Sequence, residues 1–158
     1  MQEAQDLLSL FGKNIGIEGL VFDNDKTCTL SFDDIRVVIE LVEEKKLFYI
    51  YSFVMPLSEE VEKMAVYQFL LEQNSFCKGT GGGTFGIEPD MKSITYTTLF
   101  ALRDAREDTV AFFTDVVGNH VTAVEGMRAA LHDLLQAQPA KEAPAPEGIA
   151  FMNTAIRI

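Results

Sequence analysis

Three runs of alternating polarity, joined by very short links, constrain this chain more than any other feature. In Thr27 to Phe32, residues Cys28, Leu30 and Phe32 share one face of an extended strand and Thr27, Thr29 and Ser31 the other. Asp33-Asp34 interrupts the pattern. Ile35 to Glu43 then alternates again, with Ile35, Val37, Ile39 and Leu41 on one side and Arg36, Val38, Glu40 and Val42 on the other. After the polar turn Glu44-Lys45-Lys46 comes Leu47 to Met55, dense in aromatic and β-branched residues and stopped by Pro56. Links this short join only antiparallel neighbours, so the three runs predict a meander. Leu20 to Phe22 reads as a further short extended run, before the turn Asp23-Asn24-Asp25-Lys26.

Helical spacing brackets the meander. Ala4, Leu7, Leu8 and Phe11 form one apolar stripe, closed by Gly12, Asn14 and Gly16. A second helix is expected from Ser58, a good N-cap followed by Glu59, Glu60 and Glu62, to about Asn74. Its apolar residues, Val61, Met64, Ala65, Val66, Tyr67, Phe69, Leu70 and Leu71, occupy more than one face. A helix of that kind needs cover on two sides, and a single sheet supplies one, so a second subunit is the expected other. Lys78 to Gly83 reads as a flexible connector. Thr84 to Glu88 and Ser93 to Arg103 read as a hairpin around Pro89-Asp90. Asp108 or Thr109 is expected to cap a long last helix with the stripe Val110, Phe113, Val117, Val121, Val124, Met127, Leu131 and Leu134. The order α-β-β-β-α-β-β-α predicts an α+β fold, an antiparallel sheet with helices packed on it, in a homodimer.

The domain is expected to span residues 1–137. Residues 138–148, rich in Pro and Ala, form a linker without packing capacity. Residues 149–158, IAFMNTAIRI, are apolar and β-prone; two readings stand, a strand docked in a groove of their own or a neighbouring molecule, and a tail ordered only by crystal packing. The 47% apolar content is too high for a disordered chain. A net charge of −11 argues against nucleic acid and anionic membranes as partners. The beginning, MQEAQDLLSLFGKN, has no signal-peptide pattern, and no stretch has the length of a membrane span. Two cysteines, Cys28 and Cys77, are too few for a disulfide scaffold. Both read as buried or half-buried filler in a protein of the reducing cytoplasm.

No motif carries catalysis, metal or cofactor chemistry. GTGGGTFG is followed by a strand and lacks the Gly-Lys-Ser/Thr of a phosphate loop. Asp23, Asp25 and Asp34 lack the Gly and Glu of a calcium loop. His120 and His132 stand twelve residues apart, beyond a shared metal site, with His120 partly buried and His132 at the surface. Asp33-Asp34 and Glu59-Glu60 suit a turn and a helix start. What stands out is apolar surface in excess of one small core. That excess suggests a groove and open sheet edges that accept an extended peptide.

LLSLFGKNIGIEGLVFDNDKTCTLSFDD, and later NSFCKGTGGGTFGIEPDMKSITYTTLFAL with the closing amphipathic helix, resemble the Tir-chaperone family, the class I type III secretion chaperones. The resemblance covers residues 3–136 and rests on pattern, size and acidity. It implies a bacterial cytoplasmic homodimer, without enzymatic activity, that holds the amino-terminal segment of a secreted effector extended and ready for export. A secretion ATPase is a further partner that the resemblance suggests, and virulence the setting. Carried onto this chain, the peptide-contacting residues are Leu7, Leu8, Phe11, Ile17, Leu20, Phe22, Leu30 and Phe32, with Val38 and Phe48. The dimer surface is Val66, Phe69 and Leu70 with Phe85. Each of these residues reads equally well as core. Two other readings compete: a regulatory peptide-binding module of the same fold outside secretion, and a small thioesterase-like dimer using Asp33, Asp34 or a nearby acid.

Overall fold

The computed structural model describes residues 2–57, 63–77, 79–102 and 108–137. The element order is α1 (Gln2–Asn14), β1 (Thr27–Phe32), β2 (Ile35–Val42), β3 (Leu47–Pro56), α2 (Lys63–Asn74), β4 (Thr84–Glu88), β5 (Ser93–Ala101) and α3 (Thr109–Gln136). The five strands form one antiparallel sheet in the order β1-β2-β3-β5-β4. The expected α+β order and meander are therefore present. Residues 58–62, where the second helix is expected to begin, the stretch 103–107, and the expected linker and apolar segment after residue 137 lie outside the described residues.

Alternation decides the two faces of the sheet. Cys28, Leu30, Ile35, Val37, Ile39, Leu41, Phe48, Ile50, Val54, Ile94, Tyr96 and Phe100 are buried on the inner face. Helices α1 and α3 cover that face. Phe113 of α3 is the centre of the packing, with ring centroids 4.9 Å from Phe11 of α1, 5.4 Å from Phe48 of β3 and 4.8 Å from Phe100 of β5. Ring pairs at such distances add to the burial energy of large apolar side chains. α2 stands apart from this layer and packs on β4 through Val66 and Leu70.

Three local expectations are corrected. Leu20 to Phe22 is not a strand, because its polar groups pair with a side chain. The Gln5 carboxamide donates to Leu20 O at 3.0 Å and accepts from Phe22 N at 3.2 Å. The described part of the Gly-rich connector is a packed turn. Gly81 and Gly82 have φ of +58° and +99°, and a Cβ on Gly83 would stand 2.4 Å from the Tyr96 ring. The Tyr96 hydroxyl accepts from Gly83 N at 3.1 Å and donates to Thr80 O. Asp108 is the N-cap residue of α3, but its side chain makes no capping bond.

The last strand of the meander carries a bulge, where the register with β5 shifts between Phe53 and Met55. A bulge leaves backbone groups without a ladder partner. Arg128 of α3 donates to Val54 O at 2.7 Å, to Phe53 O at 3.2 Å and to Asp34 Oδ2 at 2.8 Å. One guanidinium thus ties α3 to the bulge and to the β1–β2 turn.

Candidate peptide-binding surfaces

The sheet has two edges, and they are treated differently. Leu41 N donates to Lys26 O at 2.9 Å, which sets the phase of the β1–β2 ladder. In an antiparallel pair hydrogen-bonded positions alternate. With the register Cys28↔Ile39 and Leu30↔Val37, the backbone groups of Thr27, Thr29 and Ser31 therefore point away from β2. Thr27 is capped. Its N–H donates to Asp23 Oδ1 at 2.8 Å, its hydroxyl to Asp23 Oδ2 at 2.8 Å, and its C=O accepts from Asp23 N at 2.8 Å. The bonds to the Asp23 carboxylate, the Thr27 N–H first, hold that carboxyl below its ordinary pKa. Thr29 and Ser31 have no such partner among the described residues, so β1 presents a short open edge.

The opposite edge is plugged at Phe85. The Asn74 carboxamide donates to Phe85 O and accepts from Phe85 N, both at 2.9 Å. It satisfies the outward groups of Phe85 as a neighbouring strand would. β4 is also only five residues long. Ile87 alone stays outward on β4, against Thr29 and Ser31 on β1, so β1 offers an incoming strand the longer open edge.

The outer face of the sheet has no helix among the described residues. Val38, Tyr49, Tyr51 and Phe53 are half-buried there, and Leu99 is 57% exposed. Tyr51, Phe53, Met91, Thr95, Thr97 and Glu88 line a shallow concavity of ≈ 340 Å³. Burial, and then the charge of Glu40, raises the pKa of the Tyr51 phenol.

The residues expected to contact a peptide divide. Ile17 is exposed, and Leu20, Phe22, Phe32 and Val38 are half-buried. The first three belong to the segment that Gln5 fastens to α1 and that leads into the Asp23 cap of β1. Leu7, Leu8, Phe11, Leu30 and Phe48 are instead core residues, between 0% and 6% exposed. The ring of Phe22 lies 5.7 Å from that of Phe48.

The residues expected at a dimer surface divide in the same way. Val66, Leu70 and Phe85 are buried within the protomer, where α2 meets β4, and Phe69 is half-buried. The apolar side chains that α2 turns outward are Met64, Tyr67 and Leu71. Periodicity identifies two apolar faces on this helix but not which one the protomer's own sheet covers. Nor does it single out the outward aromatics Tyr51 and Phe53, although their alternation with Ser52 and Val54 is a signal that could.

One pair of side chains has the appearance of catalytic machinery. Ser52 Oγ lies 2.9 Å from His120 Nε2, and Thr98 Oγ1 lies 3.1 Å from His120 Nδ1. Both Ser52 and His120 are buried, no carboxylate among the described residues orients the imidazole, and Tyr96 packs on the ring at 4.7 Å. A hydroxyl that no substrate reaches is not a nucleophile. Desolvation lowers the His120 pKa from 6.5 to about 4, so the ring is neutral and serves as a buried polar tie between α3, β3 and β5. Cys28 is buried, and burial, then the charge of Asp23, raises its pKa. Cys77 is exposed, contrary to the expected filler role. Asp34 is held by Arg128, and Asp23 closes an Asx turn. Among the described residues no cluster of three His, Cys, Asp or Glu is arranged to hold a metal ion, and no helix is long and apolar enough to cross a membrane.

A family model described as the Tir chaperone protein (CesT) family matches residues 6–128. No curated protein sequence matches the chain. Solved structures share the fold. The HopA1-SchA chaperone-effector complex matches at 15% identity and a TM-score of 0.67, covering 80% of this chain and 94% of the other. The ExsC-ExsE complex matches at 17% and 0.70, covering 82% and 94%. The heterodimeric ExoU-SpcU complex from the type III secretion system of Pseudomonas aeruginosa matches at 16% and 0.59, covering 83% and 99%.

Proposed function

The chain belongs to the Tir chaperone (CesT) family, and from that premise we propose that it is a non-catalytic chaperone for type III secretion effectors in the bacterial cytoplasm. It binds the extended amino-terminal segment of its client and keeps that segment non-globular. The observation that carries this reading is the asymmetry of the sheet edges. On β4 Asn74 caps Phe85 and leaves only Ile87 outward, whereas on β1 both Thr29 and Ser31 keep backbone groups directed outward. An extended peptide that adds to β1 gains main-chain hydrogen bonds irrespective of its sequence, while alternate side chains find apolar contacts. Ile17, Leu20, Phe22 and Phe32 supply those contacts at the inner side, and Val38 on the outer.

The protein acts as a homodimer through the outward face of α2. Met64, Tyr67 and Leu71 lie at i, i+3 and i+7, which is one stripe of a helix whose other stripe is already buried on β4. A second copy covers that stripe and places two β1 edges in one particle. A segment long enough to touch both gains effective concentration at the second site.

Co-expression with each protein exported by the host's secretion apparatus tests the reading. The expected result is a stable complex in which limited proteolysis leaves one extended client segment protected near its amino terminus. Failure of every exported protein to form a complex, or protection of only a folded client domain, overturns it.

A further inference from the structure

We propose that segment 149–158, IAFMNTAIRI, pairs with the open edge of β1 in its own protomer and covers it until a client displaces it. This inference rests on β1 being the strand-accepting edge. The path of α3 supports it first. Near its start, Asn14 Nδ2 donates to Thr114 Oγ1 at 2.9 Å, and farther along, Arg128 reaches Asp34 in the β1–β2 turn. α3 therefore leaves the domain on the side where β1 ends at Phe32. Gln136 lies eight residues past Arg128, about 12 Å along the helix axis at 1.5 Å per residue.

Reach is sufficient. The linker 138–148 has eleven residues, six of them Ala or Pro, in the run QPAKEAPAPEG. In an extended polyproline-like form it spans roughly 34 Å, more than that rise plus the approximately 20 Å of β1 itself. A chain arriving at Phe32 and running toward Thr27 is antiparallel to β1, the more favourable pairing.

Charge agrees with that direction. The segment carries Arg157 and no acidic residue, in a chain with a net charge of −11. Run antiparallel from Phe32, Arg157 falls beside Asp23 and Asp25, which flank the start of β1, and Asp23 stays ionised because Thr27 holds it so. The segment is also of the composition that adds to strand edges, and leaving both it and β1 uncovered invites aggregation.

Amide hydrogen exchange on the full chain tests this. The Thr29 and Ser31 amides are expected to exchange at least about ten-fold more slowly than in a Phe151→Asp, Ile156→Asp variant, while those of Leu30 and Phe32 do not change. Equal rates at Thr29 and Ser31 overturn the inference. A client that then protects those amides leaves the β1 reading intact, and one that does not removes the reading as well. A Ser31→Cys, Ala150→Cys pair in a Cys77→Ser background, oxidised and run on a denaturing gel, is expected to link within one chain, since a segment running antiparallel from Phe32 sets Ala150 opposite Ser31. Linked pairs of chains overturn the assignment to the same protomer.

Discussion

The Asn74 carboxamide and the Phe85 backbone exchange two hydrogen bonds of 2.9 Å each, so a single side chain takes the place of a neighbouring strand. This caps the β4 edge at Phe85 and leaves β1, with Thr29 and Ser31, as the edge with more outward groups. Asn74→Ala is expected to destabilise the protein by about 1–3 kcal/mol, the cost of leaving Phe85 unsatisfied where it is part-buried. Asn74→Asp is expected to recover only part of this, since a carboxylate accepts from Phe85 N but donates nothing to Phe85 O. Urea unfolding measures both. The Ala variant is also expected to aggregate more readily at high concentration, by pairing along the freed edge.

His120 gives stability a specific pH dependence. Its folded pKa of about 4 lies below its ordinary 6.5. Between these values the unfolded chain binds a proton that the folded chain does not. Stability is therefore complete above 6.5 and falls as the pH drops toward 4, by roughly 3 kcal/mol for the full shift. His120→Gln is expected to be less stable at pH 7, through loss of packing and of the Ser52 and Thr98 contacts, but to lose less on acidification. Urea unfolding of the two proteins at pH 7 and about 4.5, inside that window, reads the difference in slope directly.

The outward stripe of α2 predicts a variant that changes assembly without changing the fold. Met64→Glu with Leu71→Glu puts two charges on side chains each 71% exposed in the protomer. The unfolding midpoint of the resulting monomer is expected to become independent of protein concentration, with an unaltered far-ultraviolet spectrum. Sedimentation equilibrium is expected to report a dimer for the natural chain and a monomer for the variant.

The alternation of Ile35 to Met55 makes the meander and its inner face legible in the sequence, because a one-residue slip would turn Val37 and Ile50 to solvent. The stripe from Val110 to Leu134 does the same for α3. Other features depend on contacts between residues far apart in the chain. Nothing local to Leu20 or Phe22 shows that Gln5 replaces their strand partner. Nothing local to Arg128 shows that it will meet a bulge 74 residues earlier. The glycines of 79–83 read as loose because their partner, the Tyr96 hydroxyl, lies on another strand. At the candidate site the pattern identifies apolar faces correctly but not their cover. Leu8, Phe11 and Phe48 therefore prove to be core, while Met64 and Leu71 face outward.

Ser31→Pro tests the central claim most directly. The Ser31 N–H points away from β2, so proline at this position removes no ladder bond and is of the kind tolerated on edge strands. It does remove a donor that an added strand would use and fills the space it would occupy. With a client segment identified by co-expression, titration calorimetry on the natural and Ser31→Pro proteins is the measurement. The account predicts at least about a ten-fold loss of affinity, near 1.4 kcal/mol, with fold and dimer retained. Unchanged affinity in a folded Ser31→Pro protein would contradict it.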